Sequence, residues 1–331
     1  MVIKGKFGLR AFVGGLLLLV LLAHAAFGKN SSGQIRAVAV SPDGKLLAVD
    51  FGNDKSSFIY KVPVDTCVAA RLTNANDGQE SSPSFSADGK RIAFTYRPAD
   101  HRRSRIVIAN ADGSELHEWS PSEANDVSPV ISPDGKTMVF SRFGFFGSYS
   151  PIAQPHAHEW NFYAADLDGG NVRQITNESF YMASAPSVSP DGKNMVVVAE
   201  GLETDQQIAI YSITHPGPRL RTLQPHVPNE VSRKHPILAY PNYLPDGSIL
   251  FMAADKRIDY DVYRLDPDTG AIEKLTNRNG YATDLGVSAD GRTAVFLKWQ
   301  ISRTGDLVSN QAYLLDLQSR EAKPLKISGL R

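Results

Sequence analysis

Residues 127–142 read VSPVISPDGKTMVFSR, and at the centre stands Ser132-Pro133-Asp134-Gly135-Lys136, a phrase that returns along the whole chain. The other copies are Ser41-Pro42-Asp43-Gly44-Lys45, Ser86-Ala87-Asp88-Gly89-Lys90, Ser189-Pro190-Asp191-Gly192-Lys193, Leu244-Pro245-Asp246-Gly247-Ser248 and Ser288-Ala289-Asp290-Gly291-Arg292. Asp and Gly are present in every copy, and successive aspartates lie 45, 46, 57, 55 and 44 residues apart. A period of this size marks a propeller or solenoid rather than a string of independent domains. Ser-Pro-Asp-Gly is also a turn with a mechanism. Ser accepts at the first position, Pro presets φ at the second, and Gly supplies the left-handed residue that closes a hairpin.

The flanks read as strands. Val38-Ala39-Val40 enters the first copy and Leu46-Leu47-Ala48-Val49 leaves it; Val130-Ile131 and Met138-Val139-Phe140 flank the third, and Val287 and Ala294-Val295-Phe296-Leu297 the sixth. Continuous apolar runs of this kind suit strands buried on both faces. A third strand follows each pair: Phe58-Ile59-Tyr60, Ile106-Val107-Ile108, Phe162-Tyr163-Ala164, Ile208-Ala209-Ile210-Tyr211, Val262-Tyr263 and Tyr313-Leu314-Leu315. A short fourth ends in Leu72-Thr73-Asn74, Ile175-Thr176-Asn177 or Leu275-Thr276-Asn277. Four antiparallel strands in each of six units predict an all-β, six-bladed β-propeller.

Lys4, Lys6 and Arg10 precede an apolar run over residues 11–22 that ends in small residues, the order of a secretory signal peptide, with cleavage after Ala25 or Gly28. The expected division is a signal peptide over 1–28, its alternative being an uncleaved anchor, and one propeller domain over 29–331. With the signal removed no transmembrane span is expected. The 35 basic and 35 acidic side chains cancel, so the chain lacks the cationic surplus that nucleic acid demands. The one basic cluster, His101-Arg102-Arg103 with Arg105, reads as a solvated loop. Cys67 is the only cysteine, so stability must come from burial rather than an internal disulfide.

The stretch Asn161-Phe162-Tyr163-Ala164-Ala165-Asp166-Leu167-Asp168-Gly169-Gly170-Asn171-Val172-Arg173-Gln174-Ile175-Thr176-Asn177, followed by Pro186-Ser187-Val188-Ser189-Pro190-Asp191-Gly192-Lys193, resembles the WD-like repeat of the TolB-type propeller family. The resemblance runs over about residues 34–327. It implies a periplasmic or secreted propeller whose partners are proteins, peptides or envelope components. TolB itself carries a separate α/β domain ahead of its propeller, whereas here the first repeat follows the signal almost directly. Transfer of the partners that such a domain engages is therefore not implied.

In this strand order the Ser-Pro-Asp-Gly turns occupy one face, and Asp43, Gly44, Asp88, Gly89, Asp134, Gly135, Asp191, Gly192, Asp246, Gly247, Asp290 and Gly291 are structural closures. Asp166-Leu167-Asp168-Gly169 lacks the later ligands of a calcium loop and reads as a hairpin turn. The opposite, funnel face carries the variable connections. The third unit's is long, residues 141–160, and offers Phe145, Phe146, Tyr149 and Trp160 either as a recognition patch or as packing. Within it His156, His158 and Glu159 are candidate metal ligands. Oligogalacturonate lyase, a propeller with similar repeats, uses histidines around a metal in such a position. His215, His226 and His235 are further candidates only by availability.

Glu80, Asp126, Tyr181, Tyr240 and Asp284 precede the innermost strands and would ring the channel mouth. There they would attract a cation or basic peptide, or else hydrogen-bond the neighbouring blade. No Gly-x-Ser-x-Gly elbow exists, since Gly147-Ser148-Tyr149-Ser150-Pro151 lacks the closing Gly; H-E-x-x-H, P-loop and dinucleotide fingerprints are absent as well. No catalytic residue is identified. The reading is a monomeric, exported, non-catalytic binding module that uses its funnel face and expects no cofactor. Its alternative is a metal-assisted carbohydrate lyase or hydrolase holding a divalent metal.

Overall fold

In the computed structural model the described residues are 33–99, 103–120, 124–146, 156–178, 180, 182–183, 185–200, 207–227, 237–254, 259–277, 280–302 and 307–331. The N-terminal segment assigned as an export signal lies outside them. Among the described residues every element is a strand. In chain order these are β1 (Gln34–Val40), β2 (Leu46–Gly52), β3 (Ser57–Pro63) and β4 (Ala70–Arg71), then β5 (Gln79–Phe85), β6 (Arg91–Arg97), β7 (Arg105–Asn110) and β8 (His117–Glu118). Next come β9 (Asn125–Ile131), β10 (Thr137–Phe146), β11 (His156–Asp166) and β12 (Arg173–Gln174), then β13 (Met182–Ala183), β14 (Ser187–Val188), β15 (Asn194–Glu200), β16 (Gln207–Ser212) and β17 (Arg221–Leu223). The last are β18 (Ile237–Tyr243), β19 (Ile249–Ala254), β20 (Tyr260–Leu265) and β21 (Ile272–Lys274), then β22 (Ala282–Val287), β23 (Thr293–Ile301), β24 (Leu307–Asp316) and β25 (Ala322–Pro324).

The chain is all-β in a β-propeller arrangement, but its hydrogen bonds define five sheets where six were expected. One sheet has eight strands, three have four and one has five. The eight-stranded sheet arises because Ser57 of β3 makes a single parallel pair with Gln79 of β5. The chain can come that close because Gly78 takes φ +79° and its carbonyl accepts the Ser57 N–H at 3.3 Å. The fifth strand of the other sheet is an interruption. β13 and β14 both pair β15, and Pro186 between them has no N–H to donate.

The third unit's long connection is also shorter than expected. Residues 141–146 and 156–160 are strand, paired from Ser141↔Phe162 to Phe146↔His156 across a bulge between Arg142 and Gly144. Aromatic and branched residues suit such a ribbon, and residues 147–155 lie outside the described residues.

Burial explains the apolar runs. All six positions of β19 are buried, because both of its faces meet neighbouring sheets. Each core cluster joins consecutive sheets or units: Val196, Ile208 and Ile210 pack with Phe251 and Tyr263, for example. The end of the chain meets its beginning in the same way, since Val295, Leu297 and Ala312 pack with Ile35, Val38, Leu47 and Val49. Among the described residues no strand crosses that joint. Outside it, Val68 and Ser328 form a parallel bridge, with Ala69 N–H on the Ser328 carbonyl at 2.8 Å and Ser328 N–H on the Cys67 carbonyl at 2.9 Å.

The repeated turns close on themselves. In the third, the Ser132 hydroxyl donates to Asp134 at 2.6 Å and accepts the Thr137 N–H at 2.9 Å, while Lys136 N–H reaches Asp134 at 3.1 Å and Gly135 N–H reaches the Ser132 carbonyl at 2.9 Å. The Ser132 hydroxyl is the chief reason the Asp134 carboxyl is held below its ordinary range. Asp166-Leu167-Asp168-Gly169 is likewise a hairpin turn, Gly169 N–H bonding the Asp166 carbonyl at 2.8 Å. Gly135 has φ +69°, and a Cβ there would meet nothing within 4 Å. Gly135→Ala should therefore cost about 1 kcal/mol through backbone strain alone, read from the urea midpoint. An unchanged midpoint would mean that the left-handed residue is not required.

Candidate functional site

The first strands of successive sets touch one another, β1 with β5 and β22, β5 with β9, β14 with β18, and β18 with β22, so they surround the axis. Five of the ladders between first and second strands are irregular. The register slips at Ile35/Ala37, Ser81/Ser84, Ala239/Asn242 and Thr283/Leu285, and opposite β9 between Val139 and Ser141. In four of these bulges a non-glycine residue is left-handed: Ser82 (φ 50°), Ser128 (53°), Tyr240 (52°) and Asp284 (55°). All four stand four residues before the first position of the following turn phrase. A bulge adds one residue to one strand, twists it and re-aims side chains.

The bulged strands are stitched to their neighbours. Ser128 N–H donates to the Thr95 hydroxyl of the preceding unit at 3.0 Å, and the Ser84 hydroxyl to the Pro129 carbonyl at 2.7 Å. Asn242 Nδ2 donates to the Leu285 carbonyl at 2.9 Å, and Val38 N–H to Asp284 Oδ2.

The acidic residues expected before the innermost strands lie within them, and they divide by position. Glu80 and Asp126 stand two residues ahead of the bulge positions. Glu80 is buried; its Oε2 accepts the Ile59 N–H at 2.9 Å and the Thr73 hydroxyl at 2.6 Å, both from the preceding unit. Burial pushes its carboxyl above the ordinary range against those hydrogen bonds. Asp126 is fully buried and takes Arg142 Nε at 2.7 Å and Nη2 at 3.1 Å, a fork matched to both oxygens. Burial raises it too, opposed by Arg142 and the Ser120 hydroxyl.

Tyr240 and Asp284 sit on the bulges themselves, half-buried and next to each other. Asp284 is pushed up to about 7 by the loss of water around it, against hydrogen bonds from the Val38 and Leu285 N–H groups. Asp50 of β2, two residues from Ala48 on the face toward the second unit, is 1% exposed and also pushed up to about 7 by burial. Arg36 and the Ser57 hydroxyl draw Asp50 down while Asp284 and Glu80 raise it further. Asp50 was not a candidate from sequence, because it stands inside an apolar run and nothing local distinguishes it. Ser82 and Ser128 were missed as well. Aligning the turn phrases and counting back four residues would have found them, since Pro83, Pro129, Pro186 and Pro241 follow that position in four units.

On the third unit's hairpin Trp160 is half-buried, stacked on Phe143 at 4.3 Å and bridged to Phe180, so it packs on the core beside it. Phe145, Phe146, His156, His158 and Glu159 are strand positions whose side chains lie outside the described set, as do Tyr149 and Tyr181 altogether. His215 and His226 are exposed, and His235 lies outside the described residues. Among the described residues no three His, Cys, Asp or Glu converge to hold a metal. Of the basic cluster, His101 and Arg102 lie outside the described residues, while Arg103 and Arg105 are half-buried and both pair with Glu118; Arg105 opens β7, so this end of the cluster is not the solvated loop expected. Among the described residues no helix is long and apolar enough to cross a membrane.

No family model matches the chain. An uncharacterized protein of Agrobacterium fabrum is 28% identical over 160 residues, 48% of this chain and 52% of that protein. The Tol-Pal system protein TolB of Francisella tularensis subsp. mediasiatica is 25% identical over 209 residues, 61% of this chain and 45% of that protein. The chain thus spans about half the length of these curated relatives, or less. Among solved structures, TolB from Acinetobacter baumannii superposes with a TM-score of 0.58 at 19% identity, over 94% of this chain and 68% of that one. A puromycin hydrolase gives 0.58 at 16% identity over 91% of this chain and 54% of that one, and an oligogalacturonate lyase in complex with manganese 0.56 at 16% over 88% and 77%. At such identities these structures establish the fold alone.

Proposed function

The chain is a TolB-like β-propeller, and on that premise we propose a six-bladed, exported, non-catalytic module that binds a protein, peptide or envelope component through its funnel face. The six-blade count is supported by the eight-stranded sheet, which divides at its one parallel pair into two antiparallel sets of four. An envelope location draws on the N-terminal segment and on relatives named for the Tol-Pal system.

The observation that carries the binding role is the set of four left-handed, non-glycine residues at one register of the inner strands. Each costs on the order of 1–3 kcal/mol of backbone strain, a cost that persists mainly where a site must be shaped. Turn-face aspartates, by contrast, are consumed by their own turns. Rigid sheets then present the loops at the opposite end.

A photo-crosslinker placed singly at exposed Asn76, in the β4–β5 connection at the funnel end, or at exposed Lys136, in a turn, tests this. In envelope extract, adducts from position 76 that excess unmodified protein suppresses, with none from 136, are expected. Equal labelling from both positions would refute the assignment of the face.

A further inference from the structure

We propose that residues 325–331 are a strap that closes the ring from outside, so that the joint between the first and last sheets opens only when the strap peels off the first sheet. The inference stands whatever the funnel face binds.

Among the described residues, β1–β4 and β22–β25 share no ladder, so the two sheets meet by packing and by a few polar contacts. Toward the axis these are the Val38 N–H on Asp284 Oδ2 and the Asn310 amide, which accepts the Ile35 N–H at 3.2 Å and donates to the Ile35 carbonyl. On the outer side the link is the segment that follows β25.

That segment changes sheets between Leu325 and Ser328. Leu325 still belongs to the last sheet, its N–H on the Ala312 carbonyl at 2.8 Å. Ile327 N–H then turns back on the Leu325 carbonyl at 3.1 Å, and Ser328 is seated in the first sheet, its N–H on the Cys67 carbonyl at 2.9 Å and its carbonyl taking the Ala69 N–H at 2.8 Å. The Tyr60 hydroxyl of β3 donates to the Arg331 main-chain oxygen. Leu325 is buried in the apolar cluster that spans the joint, and Ile327 and Leu330 pack against the same cluster. The seat has a backbone requirement as well. Gly329 is left-handed at φ +82°, and a Cβ there would stand 2.7 Å from the Ala69 carbonyl oxygen, so only glycine fits without a shift.

The mechanical consequence follows from reach. Three residues span at most about 10 Å when fully extended, so with Leu325 and Ser328 both bonded the outer edges of the two sheets stay within that distance. Wider separation must break one end. Leu325 continues the β24–β25 ladder and is buried, whereas Ser328 is held by two backbone bonds beside exposed Val68. Peeling therefore starts at Ser328. It also withdraws Ile327 and Leu330 from the cluster that holds the sheets together, so release of the strap and opening of the joint are one cooperative event.

Amide exchange on the full chain tests this. Ser328 and Ala69 report the strap, and Ile35 and Val38, whose N–H groups bond across the joint, report the joint. Met252, packed on the opposite face of the last sheet, is the reference. In wild type at low urea the four amides should share one opening equilibrium and one denaturant slope, with less protection than Met252. Gly329→Ala should accelerate all four by the same factor, roughly tenfold, and leave Met252 unchanged. Acceleration confined to Ser328 and Ala69, or none at all, would refute the strap as the holder of the joint. Separate urea slopes for the two pairs in wild type would overturn the proposal even if the variant does not fold.

Discussion

Arg142→Ala is expected to destabilise the protein by about 3–5 kcal/mol, the loss typical of stripping one partner from a buried ion pair. Asp126 exposes none of its side chain, and Arg142 supplies both of its short charge-assisted contacts, at 2.7 and 3.1 Å. Arg142 also lies over the Tyr163 ring at 4.6 Å, so truncation removes stacking along with charge. Once the guanidinium is gone, the carboxyl must either remain an uncompensated buried anion or take up a proton. Denaturant unfolding at neutral pH measures the loss, and part of it should return on acidification, because protonation neutralises the stranded group. A loss below about 1 kcal/mol would place the pair with ordinary solvated surface ion pairs and would return Asp126 to the groups available to a ligand.

Glu80 yields the second large effect, and here the conservative variant discriminates. Glu80→Ala leaves the Ile59 N–H and the Thr73 hydroxyl buried without their acceptor. At about 1–3 kcal/mol for each of the two stranded donors, the sum is roughly 2–6 kcal/mol before any cavity is counted. Glu80→Gln keeps an amide oxygen for both donors and removes a charge that burial already disfavours, so it should cost under about 1 kcal/mol. Thermal or denaturant unfolding of the two variants decides the matter. If Gln were as damaging as Ala, the negative charge would matter more than the acceptor. Together the two predictions assign Glu80 to holding the preceding unit and Asp126 to an ion pair within its own sheet, which leaves neither carboxyl free for a ligand.

That division was only half legible in the sequence. Glu80, Asp126, Tyr240 and Asp284 all fall shortly before a turn phrase and look equivalent when read as letters. In the fold, two residues separate the first pair from the second, and a bulge stands at the later position. A bulge breaks the period of two on which any sequence-based assignment of faces rests, so residues beyond it cannot be placed by counting. The long third connection was misread for a related reason, since residues 141–146 and 156–160 become strand only by pairing with each other.

What the sequence determined by itself is the all-β repeat. Ser-Pro-Asp-Gly closes through hydrogen bonds within six residues, and apolar runs declare strands buried on both faces, so both signals are local and need no knowledge of neighbours. The tertiary structure alone decided which buried acid meets a guanidinium and which meets a hydroxyl. Val38 and Asp284 are 246 residues apart, and Asp50 reads as one polar letter in an apolar strand. Ionisation and burial depend on what closes around a carboxyl in space, and that is settled only when the last sheet meets the first.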